Sequence, residues 1–258
     1  MSKPKLFFGS GNAKLSTAIG TFSLPAGFTC PQANECLSKA NRLSGSITDG
    51  TKTQFRCFAA SQESLFPSVR HARWKNFELL KSNSSIQEMA NLIQRSLPFG
   101  IGIIRVHVSG DFFNEKYFLA WLNVAIENPL LTLYGYTKCL SFLVKYKKHI
   151  PSNFRFVASK GGKMDNLISK HKLRYAEVVF STEEARRKGL PIDHDDSEAL
   201  NGKTSFSLLL HGVQAAKSPA SDALRLLKRQ GLGTYNETTK QTRMERQVQI
   251  HVPFLSVK

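Results

Sequence analysis

A chain of 258 residues with 41% hydrophobic and 21% charged side chains lies in the ordinary globular range, and its length suits one domain around one core. No stretch approaches the roughly 20 apolar residues of a membrane span, and residues 1–15 lack the apolar core of a secretory signal, so a soluble, cytoplasmic protein without a membrane partner is expected. Thirty-six Lys and Arg against nineteen Asp and Glu leave a formal charge of +17, a field that attracts polyanions and makes nucleic acid the leading expected partner, ahead of a merely solubilising surface.

In chain order, the apolar segment 19–24 reads as a strand leading into a loop that carries Cys30 and Cys36. Cys57 follows a Ser-, Gly-, Thr- and Asp-rich stretch, residues 44–53, that folds out as a hairpin or loop and forms the core of an insertion at 38–54. Thiolates are soft ligands suited to iron–sulfur clusters or zinc, and three of them leave one iron of a four-iron cluster open to another ligand. Spacing alone equally allows buried cysteines that pack as small apolar side chains. Beyond them, Arg70, His71, Arg73, Trp74 and Lys75 interleave basic and aromatic groups. On a helix Trp74 and Phe77 would face the core while Arg70 and Arg73 project outward toward phosphate.

Helix starts are marked by Ser85 with Glu88, by Ser181 with Glu184, and by Ser218 followed by Pro219. Residues 115–127 place Phe118, Leu122 and Ala125 on one helical face. Between these helices, apolar and β-branched runs at 101–108, 130–136, 154–158, 175–180 and 205–210 have the length of buried strands. The alternation implies a mostly parallel sheet with covering helices, with too few units for a full eight-fold barrel, hence an incomplete (β/α) barrel. The domain is expected over residues 1–230, with residues 231–258 as a polar, mildly basic extension.

In such a fold chemistry gathers beyond the carboxyl ends of the strands. The residues there are Ser109, Gly110 and Asp111; Thr137 and Lys138; Ser159 and Lys160; Ser181; and His211. Asp111 would bind an ammonium, a ribose or a cation, or else cap the next helix. Lys138 and Lys160 would contact phosphate or carboxylate, or remain surface lysines. Cys139 and His211 are the candidates for a fourth metal ligand. Between Lys138 and Arg174 ten basic residues face only Asp165, which concentrates charge on a nucleic-acid face that includes Lys145, Lys147, Lys148 and Lys163. Asp193, His194, Asp195 and Asp196 have the chemistry of a divalent-metal nuclease site, but a solvated acidic loop is the stronger expectation. Gly9 to Asn12 and the pair Gly161 and Gly162 read as turns.

Several ordered motifs carry a family resemblance: Ser23-Leu24-Pro25-Ala26-Gly27, the Cys-x5-Cys element, Cys57-Phe58-Ala59, Ser109-Gly110-Asp111-Phe112-Phe113 with Tyr117 and Trp121, and Tyr136-Thr137-Lys138. Over residues 23–138 the chain resembles the gene product 88 family of phage and plasmid proteins. Its layout is also similar to radical S-adenosylmethionine enzymes, in which three cysteines after the first barrel strand bind a four-iron cluster and a Gly-rich acidic motif ends the second strand. That likeness implies a cluster on Cys30, Cys36 and Cys57, with Ser109, Gly110 and Asp111 beside S-adenosylmethionine and Asp111 and Lys160 orienting a substrate. The gaps of five and twenty residues depart from the usual Cys-x3-Cys-x2-Cys spacing, which weighs against S-adenosylmethionine. The sequence leaves the protein's status as an enzyme open. Two other readings stand beside the cluster: a non-catalytic nucleic-acid-binding protein with structural zinc, and a metal-dependent nuclease.

Overall fold

The computed structural model describes residues 3–11 and 15–232, so all but the first two residues of the expected 231–258 extension fall outside the described residues. The chain opens with β1 (Gly9–Ser10) and β2 (Ile19–Ser23), followed by a separate hairpin, β3 (Ser38–Ala40) and β4 (Ile47–Asp49). Three helices follow: α1 (Phe58–Leu65), α2 (Pro67–Lys81) and α3 (Ile86–Gln94). Strands and helices then alternate through β5 (Ile103–Ser109), α4 (Glu115–Glu127), β6 (Thr132–Thr137), α5 (Leu140–Lys145), β7 (Phe154–Ser159), α6 (Asn166–Lys170) and β8 (Tyr175–Val179). The last elements are α7 (Thr182–Arg187), α8 (Ser197–Asn201), β9 (Phe206–Leu209) and α9 (Pro219–Arg229).

Seven strands form one sheet in the order β1-β2-β5-β6-β7-β8-β9. All neighbours are parallel except the β1 edge, which pairs antiparallel with β2. Consecutive strands lie side by side and the ends of the sheet do not pair, which is the open, partial barrel that too few βα units allow.

The expected helix starts are present. The Ser85 hydroxyl accepts from the Glu88 N–H while the Glu88 carboxylate accepts from the Ser85 N–H, and Ser181 accepts from the Glu184 N–H. On the outer face α3 to α6 cover Ile104, Val106, Leu133 and Ala158, and α4 seats Trp121, Tyr117 and Phe118 against them with no exposed surface. Burying an apolar side chain of this size contributes about 1.5–3 kcal/mol. The inner face carries Tyr134, Tyr136, Val157 and Phe206, covered by Ala199 and Leu200 of α8.

Two local departures shape the molecule. As β2 advances from Thr21 to Ser23, β5 advances from Arg105 to Ser109, so β5 bulges. His107 in that bulge has φ +67 and points to the outer face, where Nε2 lies 2.9 Å from the Tyr117 hydroxyl. The second departure corrects the expectation of a solvated acidic loop. Asp193, Asp195 and Asp196 are buried, and the Asp196 carboxylate pairs with Arg105 of the inner face at 2.7 Å and accepts from the Tyr134 and Tyr136 hydroxyls at 3.1 and 3.2 Å. An arginine inside the sheet requires a desolvated anion partner, and this loop supplies it.

Candidate metal centre

The three cysteines arrive from separate parts of the chain at the carboxyl edge of the sheet. Cys30 sits in the loop after β2. That loop is pinned to the end of β5, where the Leu24 N–H donates to the Ser109 carbonyl at 2.9 Å and the Ser109 hydroxyl donates to the Leu24 carbonyl at 2.8 Å. Gly110, with φ +84, packs so tightly on this loop that an added Cβ would lie 2.5 Å from Thr29 Oγ1 and 2.7 Å from Leu24 Cβ. The Cys36 segment is held from β7: the Glu35 N–H donates to the Gly161 carbonyl at 3.0 Å, and Ala33 and Gly162 form an antiparallel bridge. Gly161 and Gly162 are therefore the dock for the cysteine loop, a role their appearance as simple turns conceals.

Cys57 is brought back by closure of the insertion. The β3–β4 hairpin folds on itself, and the N–H groups of Gln54 and Phe55 donate to the Glu35 carbonyl at 2.7 and 3.2 Å. The Cys57 N–H then reaches the Ser38 hydroxyl at 3.2 Å. Twenty intervening residues thus act as a short link, and Cys57 becomes the N-cap of α1 beside Cys36. Gln214, beyond β9, clamps the residue before it, with its carbonyl oxygen accepting from the Arg56 N–H at 2.7 Å.

The sulfurs of Cys30, Cys36 and Cys57 lie within Coulomb reach of one another. Burial pushes the Cys30 thiol well above its usual range, and the nearby charges of Asp111, Cys57 and Cys36 push the same way against the Gly27 amide. Burial and then Cys36 raise Cys57 to about 11, opposed by the amides of Ala60 and Ala59 and by Arg73. Each residue keeps some exposed surface, so desolvation acts chiefly on the sulfur. The α1 amides favour the Cys57 thiolate without forming a cap hydrogen bond.

Asp111 lies within Coulomb reach of Cys30 and is itself buried. Its oxygens accept from the Thr137 hydroxyl at 2.6 Å, the Phe112 N–H at 2.7 Å and the Lys138 N–H at 2.9 Å. The helix cap of α4 is Asn114, whose side chain accepts from the Tyr117 N–H at 2.8 Å, so Asp111 does not cap that helix. Cys139 is buried within Coulomb reach of Asp111 and Cys30, and its thiol donates to the Phe112 carbonyl at 3.2 Å. His211 lies beyond β9 with its ring 4.7 Å from that of Phe58, the residue after Cys57. Among the described residues no group of three or more His, Cys, Asp or Glu is arranged to hold a metal ion.

Glu63 of α1, without a sequence signal, is the hub beneath the centre. Fully buried, its Oε1 accepts from the Ala26 N–H and from Arg73 at 2.9 Å each and from the Ser109 hydroxyl at 3.2 Å, which links three motifs. Its presence overturns the expected outward course of two arginines. Arg73 is buried in an ion pair with Glu63, and Arg70 is buried and donates to the carbonyls of Arg42, at 2.9 Å, and Glu63. Neither faces a nucleic acid.

Lys138 is also internal, its ammonium donating to the Ser159 carbonyl and hydroxyl at 3.1 and 2.9 Å and to the Lys160 carbonyl at 2.5 Å. Lys160 pairs with Glu177 at 2.9 Å, and exposed Lys163 donates to the Pro31 carbonyl of the cysteine loop at 2.8 Å. Lys145 pairs with Glu115 at 2.6 Å, and Lys147 and Lys148 lie exposed on the turn before β7, at the opposite edge of the sheet. The basic run is therefore divided between two edges, and the expected single face does not form.

The comparisons with known proteins agree with the motifs that the geometry interlocks. The Gene 88 protein of Mycobacterium phage L5 is 24% identical over 216 residues, covering 73% of this chain and 82% of its own. No solved structure matches the chain. The family described as Gene product 88 matches residues 4–230, through every motif that builds the cysteine site, and the chain belongs to that family.

Proposed function

We propose that Cys30, Cys36 and Cys57 hold an iron–sulfur cluster at the carboxyl edge of the sheet, in a phage-type protein that works on or beside nucleic acid. The observation that carries this reading is the convergence of three thiols, Cys36 and Cys57 lying six and twenty-seven residues after Cys30, with the Cys30 loop anchored at the end of β5, the Cys36 segment at the end of β7, and Cys57 returned by closure of the insertion. The donor set fits the group. Three soft sulfurs share a partly buried pocket, where the amides of Gly27, Ala59 and Ala60 and the Arg73 charge oppose the rise that burial gives the Cys30 and Cys57 thiols.

With three protein ligands, a four-iron cluster would supply an open iron position for a substrate or for S-adenosylmethionine. Asp111, held by three donors, would fix the ends of β5 and β6 beside Cys30, and Lys163 would steady the loop through the Pro31 carbonyl. The net charge of +17 supports a polyanionic partner. Anaerobic purification with iron and sulfide analysis tests the centre: the expected product is a brown protein with stoichiometric iron and acid-labile sulfide. A colourless, iron-free protein prepared without oxygen would sink it.

A further inference from the structure

Outside the cysteine centre, the face formed by α2 and the first cysteine loop carries an unusual surface. Phe28, two residues before Cys30, is 40% exposed and meets the Trp74 ring at 4.9 Å. Trp74 contacts Phe77 at 5.9 Å, so the rings form a ladder along α2 that starts at exposed Phe28 and runs through half-buried Trp74 to half-buried Phe77, which packs against the core. A cation stands over each ring: Lys39 over Phe28 at 5.2 Å, Arg42 over Trp74 at 5.0 Å and Lys81 over Phe77 at 6.0 Å. Arg42 also pairs with Glu78, the acidic group on this surface, whereas Lys39 and Lys81 have only the ring contact among the described side-chain interactions. These are not the arginines that the sequence pattern marks, because Arg70 and Arg73 leave the same helix on its buried side.

We propose that Phe28, Trp74 and Phe77, with Lys39, Arg42 and Lys81, form a platform for single-stranded nucleic acid. The chemistry fits unpaired bases better than a duplex. The exposed Phe28 ring, backed by half-buried Trp74 and Phe77, can stack on bases of any sequence, while long, lightly tethered cations follow the phosphates. A lysine that rests on a ring in the free protein moves to a phosphate when a base takes its place. The platform begins on the loop that bears Cys30, which would bring a bound strand to the edge of the centre. This inference rests on the nucleic-acid half of the proposed function and is independent of the cluster.

The test uses the full chain, purified anaerobically, with a labelled oligothymidylate and a duplex of equal length, read by fluorescence anisotropy at two salt concentrations. The single strand binds more tightly and quenches Trp74, while Trp121, the other tryptophan, is fully buried. Phe28→Leu, which keeps the apolar contact with Trp74, weakens single-strand binding by about 5- to 100-fold. Lys39→Gln and Lys81→Gln each lower the salt slope by about 0.7. Unchanged thermal melting of these variants excludes misfolding as the cause. Parent-like binding by Phe28→Leu and by the lysine variants, or a preference for duplex, overturns the platform and leaves the nucleic-acid reading standing elsewhere on the protein. Failure to bind either oligonucleotide overturns both.

Discussion

The Thr137 hydroxyl donates to the Asp111 carboxylate at 2.6 Å, and this bond ties the end of β5 to the end of β6 directly beside Cys30. Ser109-Gly110-Asp111 and Tyr136-Thr137-Lys138, separate in sequence, are thus two halves of one support. Burial raises the Asp111 carboxyl above its usual range, while the Thr137 hydroxyl, the two amides and the Lys138 charge oppose the rise.

Asp111→Asn presents an amide N–H₂ where one of three donors needs an acceptor, and leaves a buried N–H unsatisfied. The expected cost is about 2–3 kcal/mol, against about 1 kcal/mol for Thr137→Val, and the double variant costs less than the sum. Urea unfolding of the four proteins measures the coupling. Strict additivity would show that the two motifs do not support each other.

Cys30→Ser, Cys36→Ser and Cys57→Ser should each reduce iron per chain severely in anaerobic preparations. Cys139→Ala should leave iron content unchanged, because its thiol is committed to the Phe112 carbonyl. Its cost is about 1–2 kcal/mol for the lost sulfur packing and hydrogen bond. Loss of iron in Cys139→Ala at retained stability would make Cys139 a fourth ligand.

The fold was legible in sequence wherever one local signal decides an element. Parallel strands buried on both faces are continuous apolar runs, so β5 to β9 lie where such runs lie, and the Ser85 and Ser181 caps are set within four residues. What stayed hidden depends on partners remote in the chain. Arg70 and Arg73 turn inward because Glu63, one helix earlier, is buried under the cysteine loop. Asp196 is buried because Arg105, from another strand, needs it. The cysteine spacing looked too wide because nothing in composition shows that the Glu35 carbonyl closes the insertion by accepting from Gln54 and Phe55.

Glycine substitutions separate packing of the centre from general loop cost. Gly110→Ala places a methyl against Thr29 and Leu24 in a left-handed backbone, and should displace the Cys30 loop, destabilise by about 3 kcal/mol or more, and lower iron content. Gly189→Ala has φ +63 but open space around the added methyl, so only about 1 kcal/mol of backbone strain is expected, with iron unchanged. Equal iron content in the two variants would mean that the approach of Gly110 does not position Cys30.

The bulge in β5 predicts an acid sensitivity of known sign. His107 is sealed among Phe22, Phe112 and Tyr117, and burial pushes its imidazole down to about 3. In the unfolded chain the same group takes a proton near pH 6.5. The unfolded state therefore binds more protons between these values, and stability falls as pH drops through the window, by at most about 1.4 kcal/mol per pH unit. Asn tolerates a left-handed backbone, so His107→Asn can keep the bulge while removing the titration, although it starts from lower stability. Urea unfolding at pH 6.5 and 4.5 should show the parent losing about 2 kcal/mol more than the variant. The remaining histidines and the carboxylates act alike in both proteins, so the difference isolates this site, and parallel losses would place the His107 proton elsewhere.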